Sequence, residues 1–307
     1  MPVPGKSLFS FEFSLEAALK NSLIMKKFNY DIERAIEEQP NTIISYGSEV
    51  RPIHQLEVLL QHHPNFTRFK HNTIHGISYP IKDLDEDTRI RLLEQQLEKG
   101  NHKSTNNKDD KIHVTKAMET DVVRGFGFIL TRKCVERLKQ SEIYPLGLQH
   151  QMTINERGEH IPKKRVCHDL SNNRKQGLSI NQRVIEERVP AVLFGYTLLR
   201  FLHMIHHLRY FYPNERILIN KVDIEKAYRR LHTSGKMTAK CIAMWFVQNH
   251  SEEHTPDEEE IAVALGRLPF GSMPAPAEFL NSSDITFGLA NDLLNYPLCD
   301  PNKLPSP

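Results

Sequence analysis

The sequence has no long run of apolar residues. A membrane-spanning helix needs about 18 of them in succession, so we expect no transmembrane segment. The first residues, Met1 to Lys6, also lack the apolar stretch of a secretory signal, and we therefore expect an intracellular protein, in the cytoplasm or the nucleus. Charged residues make up 25% of the chain and hydrophobic residues 39%, which is the balance of a globular protein.

Cysteine is scarce, and no two cysteines form a CxxC pair. The four cysteines are scattered over the chain, at Cys134, Cys167, Cys241 and Cys299. This spacing does not match a disulfide framework, and we expect reduced thiols.

The net charge of +2 conceals a basic middle segment. Residues 161–240 hold sixteen lysines and arginines against six aspartates and glutamates, while the rest of the chain is net acidic. A local excess of this kind is expected for a protein that binds a polyanion such as a nucleic acid. A well-solvated basic surface is the alternative interpretation.

The first 110 residues have helical patterns. A helix is predicted from Asp85 to Lys99, with Ile90, Leu92, Leu93 and Leu97 on its inner face. The polar stretch from Gly100 to Lys111 is predicted to be an exposed loop or hinge.

A basic hairpin is predicted next. The residues from Gln149 to Ile154 alternate between apolar and polar, a turn containing Gly158 follows, and Ile161 to Cys167 resume the strand pattern. The second arm carries the cluster Lys163-Lys164-Arg165.

An apolar helix is predicted to open at Pro190 and to end near Pro213. It is apolar around most of its circumference, so we expect it to be buried or nearly so. Its three histidines, His203, His206 and His207, have a spacing that could place two imidazoles on one zinc ion. Packed or capped histidines are the alternative.

The segment Ile217 to Ile219 has the composition of a strand that leads into Asp223. A carboxylate at the end of a strand can point into a metal site while its backbone stays fixed, although a turn residue or a helix cap would have the same sequence. Further strands are predicted at Lys240 to Val247 and Ile261 to Leu265, and a helix at Ala277 to Leu294.

Three blocks of sequence resemble the reverse transcriptases of retrotransposons, especially the gypsy-like and DIRS-like families. The resemblance covers roughly residues 45–295. The blocks are Arg165-Val166-Cys167-His168-Asp169-Leu170-Ser171 with Ser179-Ile180-Asn181, then Val222-Asp223-Ile224-Glu225-Lys226-Ala227-Tyr228-Arg229, and then Leu268-Pro269-Phe270-Gly271-Ser272-Met273-Pro274-Ala275-Pro276.

The resemblance implies an α+β fold of the right-hand polymerase type. Residues 1–110 would be a helical N-terminal region, residues 111–215 the fingers, residues 216–296 part of a palm with a ferredoxin-like sheet, and residues 297–307 an irregular tail. The palm would lack its catalytic hairpin. The strand before Asp223 would then present an unpaired edge through which chains could associate.

The implied reaction is RNA-directed DNA synthesis, a phosphoryl transfer assisted by two metal ions. By resemblance, Asp223 is a catalytic, metal-bridging carboxylate, and the backbone carbonyl of Ile224 is a further ligand. The metal would be Mg²⁺ or Mn²⁺, with no organic cofactor, because hard divalent ions prefer oxygen ligands. The implied partners are an RNA template, a DNA primer and deoxynucleoside triphosphates.

The resemblance also implies a set of nucleotide-binding residues. Arg165 is similar to the arginine that grips the triphosphate, with a second charge from Lys164 or Lys163. Tyr228 looks like the ring beneath the incoming sugar, and Phe270 and Gly271 match positions beside the nucleotide. A surface basic patch, a buried aromatic residue and a Pro-Gly turn are the respective alternatives.

The sequence departs from the family at one decisive point. An aromatic residue, any residue and two aspartates should follow the third block, but the only Asp-Asp pair is Asp109-Asp110, which has no aromatic residue before it. We therefore expect a chain that ends before this block and is inactive by itself. A non-catalytic nucleic-acid-binding remnant and a decayed reading frame without function remain as alternatives.

Overall fold

A three-stranded antiparallel sheet lies at the centre of the computed structural model, which describes residues 8–38, 53–155, 157–190, 192, 197–219, 224–248 and 258–295. The described strands are β1 (Gly127–Thr131), β2 (Leu146–Ile154), β3 (His160–His168), β4 (Ile242–Gln248) and β5 (Glu258–Leu265). The described α-helices are α1 (Leu15–Lys27), α2 (Ile32–Glu37), α3 (Ile53–Leu60), α4 (Phe66–His75), α5 (Glu86–Lys99), α6 (Lys108–Val123), α7 (Arg132–Val135), α8 (Thr197–Phe211), α9 (Gly235–Ala239) and α10 (Ala275–Asn295). The fold is thus a mixture of helices and small antiparallel sheets, as the sequence predicts.

The central sheet has the order β1-β5-β4 and is covered on both faces. One face packs with residues of α1, α2, α5 and α7, and the other packs with α6 and with the start of the hairpin β2–β3. Because both faces are buried, β5 shows a continuous apolar run from Ile261 to Leu265 instead of an alternating one. The predictions of β4, β5 and α10 from the sequence are confirmed.

The predicted basic hairpin is confirmed as β2 and β3. Its register runs from Leu146 opposite His168 to Ile154 opposite His160, and Gly158 takes a φ of 79° in the turn. The base of the hairpin is anchored in the core by Leu146 and Leu148. Its far half extends into solvent.

The prediction of α5 is confirmed, with one error about its inner face. The side chain of Asp85 caps the helix by accepting a hydrogen bond from the backbone N–H of Thr88. Ile90, predicted to face inward, is exposed, whereas Arg89 is buried. Arg89 fits the core because it donates hydrogen bonds to the Ser141 carbonyl and hydroxyl and pairs with Glu86.

The predicted loop at Gly100 to Lys111 is wrong in its second half. Helix α6 begins at Lys108, and the side chain of Asn107 accepts a hydrogen bond from the backbone N–H of Asp109. Asp109 and Asp110 therefore lie in the first turn of a helix, where the helix dipole favours negative charge. The polar composition marked a helix start instead of a loop.

The apolar helix starts later than predicted and is not buried. Pro190 and Val192 are not helical, the described part of α8 runs from Thr197, and none of its described side chains is buried. Leu198 is 66% exposed and Tyr210 is 75% exposed. The prediction of burial was wrong. An apolar composition indicates that burial would stabilise the helix, but it does not indicate which surface of the protein would cover it.

The strand predicted before Asp223 is absent from its described part. Residues 217–219 are irregular, and Leu218 is 85% exposed. Asp223 itself lies outside the described residues. Because residues 217–219 form no strand, the described part of this segment does not present the unpaired palm edge that the resemblance implies. At β4, an edge of the central sheet, Ile242 forms a bridge with Ile143.

Candidate functional site

An open cavity of about 630 Å³ is lined by residues of α6 and β3, by a segment that precedes β4 in sequence and by residues that follow β5. Five of the residues that the sequence predicts for the site line it: Lys164, Arg165, Ile224, Tyr228 and Phe270. They come from all three sequence blocks, which are about a hundred residues apart at their extremes. The fold therefore brings the three blocks to one place.

Arg229 joins the three blocks through one guanidinium group. It donates hydrogen bonds to the carbonyl of Leu268 at 3.0 Å and to Nε2 of His168 at 2.8 Å. It also pairs with the buried carboxylate of Asp121 on α6 at 3.1 Å. Lys226, held in a left-handed conformation with a φ of 52°, contacts the second oxygen of Asp121 at 3.0 Å. Asp121 is therefore fully committed to these two cations.

His168 is fixed in its neutral form below the cavity. Because a guanidinium N–H can only donate, Nε2 of His168 accepts from Arg229, and the ring proton lies on Nδ1, 3.0 Å from the hydroxyl of Tyr144. Burial lowers the pKa of His168 well below its usual value, and the positive charge of Arg229 lowers it further. The pKa of the buried Tyr144 hydroxyl is raised well above its usual value, chiefly by burial.

Gly271 allows two backbone segments to touch at the edge of the cavity. It has a φ of 110°, and a Cβ placed there would lie 2.4 Å from the carbonyl oxygen of His168. The carboxamide of Asn181 bridges the same contact, since it donates to the Gly271 carbonyl and accepts from the backbone N–H of Met273, both at 2.9 Å. The resemblance implies a position beside the nucleotide for Gly271, and the backbone neighbour of Gly271 in the structure is His168.

Tyr228 and Phe270 form an aromatic wall of the cavity. Their ring centroids are 5.9 Å apart, and Tyr228 packs edge-on against Phe279 of α10 at 5.6 Å. Tyr228 is half-buried, and Phe270 remains 50% exposed. The wall thus presents an apolar aromatic face that a planar ligand could contact.

The three basic residues of β3, Lys163, Lys164 and Arg165, differ in their surroundings. The ammonium group of Lys164 lies 2.6 Å from the carboxylate of Asp110, and this hydrogen bond is the largest of the influences that lower the pKa of Asp110. Arg165 is exposed and makes no hydrogen bond or ion pair through its side chain within the described ranges. Lys163 is exposed and does not line the cavity. The structure thus favours Lys164 over Lys163 as the lysine beside the cavity, and Arg165 as the cation that is available to a ligand.

The predicted metal ligands are only partly described. Ile224 lies at the rim of the cavity and is 41% exposed, whereas Asp223 lies outside the described residues. Among the side chains that the structure describes, no group of three or more histidines, cysteines, aspartates or glutamates is placed to hold a metal ion. His203 and His207 of α8 have their ring centroids 6.4 Å apart, and they belong to no such group.

Several residues of the site were not predicted from the sequence. Asp121, Lys226, Arg229 and His168 form its polar support, although the last three lie inside the resemblance blocks. No local pattern marks Asp121, because its partners come from a segment about a hundred residues away. His168 and Arg229 could have been singled out as polar residues that the blocks place beside the core.

No helix in the described part of the chain is long and apolar enough to cross a membrane. Neither a protein-family model nor a curated protein nor a solved structure shows a significant match to the sequence or the fold.

Proposed function

We propose that this chain is a reverse-transcriptase-like domain of a retroelement that binds deoxynucleoside triphosphates at the cavity but does not extend a primer by itself. The observation that supports this proposal is the convergence of three distant sequence blocks around one cavity with an aromatic wall and a basic rim. In this interpretation β2–β3 belongs to the fingers, and the central sheet belongs to an incomplete palm.

The surroundings of the cavity fit a nucleotide. Arg165 supplies a planar cation without a competing partner among the described residues, which suits a triphosphate. Tyr228 and Phe270 supply the apolar face for a sugar or a base. Arg229 and Asp121 keep these elements together without using the Arg165 guanidinium.

The same residues do not supply the chemistry of primer extension. The sequence has no aromatic-x-Asp-Asp block, and both oxygens of Asp121 are occupied by Lys226 and Arg229. Among the described side chains, no group of three or more histidines, cysteines, aspartates or glutamates is placed to hold a metal ion. We assign nucleotide binding to this chain and no turnover.

Nucleotide binding can be measured by equilibrium titration of the purified chain with a labelled deoxynucleoside triphosphate and Mg²⁺. We expect Arg165→Ala to weaken binding by about tenfold, because alanine cannot make a charge-assisted hydrogen bond to phosphate. The matched control is Arg91→Ala, which removes the same charge from an exposed position on α5. Equal affinities for the parent chain and Arg165→Ala would contradict the assignment.

Primer extension provides the second measurement. We expect no product on an RNA template with a DNA primer in Mg²⁺ or Mn²⁺. Extension by the parent chain that is abolished in Asp223→Ala would overturn the proposed lack of turnover while leaving the proposed family role in place.

A non-catalytic nucleic-acid-binding protein is the second candidate. It is favoured by the exposed Lys163 and Arg165 on one arm of the hairpin. In that case an RNA–DNA duplex should bind with a steep salt dependence, and replacing Lys163, Lys164 and Arg165 by alanine should reduce the slope by about 0.9 for each phosphate that is no longer neutralised. Absence of both nucleotide and duplex binding would favour a decayed reading frame.

A further inference from the structure

A second cavity, of about 590 Å³, lies on the opposite side of α6 from the candidate site. His113, Ala117 and Asp121 of this helix face the candidate site. Lys108, Ile112, Thr115 and Glu119 face the second cavity, together with Lys111 and Lys116. The two sets alternate with helical periodicity, so one helix forms a wall of both cavities. We call the second cavity the outer groove.

The outer groove is basic. Lys108, Lys111 and Lys116 line it, and Glu119 is the only acidic side chain among its described lining residues. The side chains of Lys108 and Lys116 are exposed and make no hydrogen bond or ion pair in the described part of the chain. Three lysines spread over about two turns of helix suit several successive phosphates better than one compact anion.

The floor of the outer groove is apolar and aromatic. It includes Phe13 and Phe246, which are half-buried, and Trp245, whose indole N–H donates to the hydroxyl of Thr115 at 2.9 Å. Ile112 on the rim is 59% exposed. The ammonium group of Lys111 lies 5.6 Å from the ring centroid of Phe246, so that a cation and an aromatic face meet at one point.

We propose that the outer groove binds single-stranded nucleic acid, with phosphates on the lysines and an unpaired base against Phe246. A groove that combines cations with aromatic rings is the usual platform for a single strand, since every base has an apolar face. A duplex keeps its bases stacked inside and gains little from an aromatic floor. An acidic peptide would satisfy the lysines but would leave the aromatic floor without a matching group.

The test uses a fluorescently labelled oligouridylate of about 12 nucleotides, a length within the range of one such platform. Binding to the full chain is followed by anisotropy at several salt concentrations. We expect the double variant Lys108→Glu with Lys116→Glu to bind at least tenfold more weakly, and its log–log salt slope to shrink by about 1.4, because two fewer phosphates are neutralised. The matched control is Lys20→Glu, at an exposed position on α1.

A second variant tests the aromatic floor. Phe246→Leu keeps the site apolar but removes the ring, so we expect affinity to fall by about fivefold or more with an unchanged salt slope. Charge reversal at Lys108 is compatible with folding, since the first turn of a helix favours negative charge. Urea denaturation of each variant verifies that the fold is retained.

Three outcomes would overturn this proposal: unchanged affinity in the lysine double variant, unchanged affinity in Phe246→Leu, or competition by polyglutamate as strong as that by unlabelled oligouridylate. The proposal does not depend on nucleotide binding at the candidate site. If Arg165→Ala leaves triphosphate binding unchanged while the groove variants no longer bind the oligonucleotide, the proposed function fails and the outer groove stands.

Discussion

Arg229 shows how one residue can determine the arrangement of a whole site. Its guanidinium is almost fully buried and reaches Asp121, His168 and the Leu268 carbonyl, so that α6, β3 and the turn before α10 are tied to one another. A buried cation is stable only when such partners surround it, because the cost of removing a charge from water is otherwise not offset. The neutral state of His168 follows from the same arrangement.

Gly271 permits a direct test of the backbone contact at the cavity. Gly271→Ala should lower the free energy of unfolding by about 1–3 kcal/mol, because alanine disfavours the positive φ and its Cβ would clash with the His168 carbonyl. Urea denaturation measures this difference. Gly100→Ala is the control, since Gly100 also has a positive φ but a Cβ at that position would have no neighbouring atom within 4 Å. Equal destabilisation of the two variants would show that the contact with His168 is unimportant.

The lowered pKa of His168 also implies that the free energy of unfolding decreases in mild acid. Burial and then Arg229 lower its folded-state pKa, and burial and then Arg267 lower that of His232, whereas an unfolded histidine has a pKa of about 6.5. Below that pH the unfolded chain binds protons that the folded chain does not. Stability is therefore fully present above about pH 6.5 and falls below it by up to about 1.4 kcal/mol per pH unit for each histidine.

The measurement is the free energy of unfolding between about pH 7.5 and about pH 5.5, a window above most carboxylate titrations. His168→Gln should flatten the pH dependence, and replacement of the exposed His62 by glutamine is the matched control. A stability that stays constant or rises as the pH falls would contradict the neutral assignment of His168.

At the scale of elements, the burial of α6 and of α8 differs in opposite ways from what their sequences indicate. Helix α6 has little amphipathic signal, and yet Val114, Met118 and Val122 are buried against the sheet. Helix α8 has an apolar composition that predicts burial, and none of its described side chains is buried. Strands β4 and β5 and the hairpin could be predicted because β-branched runs and a glycine turn are local signals. The position of α8 could not, since burial depends on a partner surface that composition does not specify.

Helix α8 should therefore contribute little to the stability of the described fold. We expect Leu198→Gln with Leu202→Gln to leave the free energy of unfolding nearly unchanged, since both side chains are more than half exposed. Leu265→Ala, at a fully buried position of β5, should cost about 2–5 kcal/mol. Thermal and urea denaturation compare the two. Destabilisation of the α8 variant to the same degree as Leu265→Ala would mean that α8 is packed in solution.

At the scale of the whole molecule, the sequence predicted which segments form the site better than it predicted how they are held. The resemblance implies Lys164, Arg165, Tyr228 and Phe270 as site residues, and all four line one cavity. The supporting pair Asp121–Arg229 could not be predicted, because an ion pair between distant segments leaves no periodic trace in either of them. The outer groove could not be predicted for a similar reason, since its lysines and its aromatic residues come from different parts of the chain.

The order of strands in the central sheet has a consequence for how the chain folds during synthesis. Strand β5 lies between β1 and β4. Ile129 of β1 pairs with Val263 of β5, and about 130 residues separate the two in sequence. A nascent chain that has not yet released Leu265 from the ribosome has β1 and β4 but no strand to join them. The sheet, and with it both cavities, can form only after most of the described chain has emerged, so a slow, late folding step dominated by long-range contacts is to be expected.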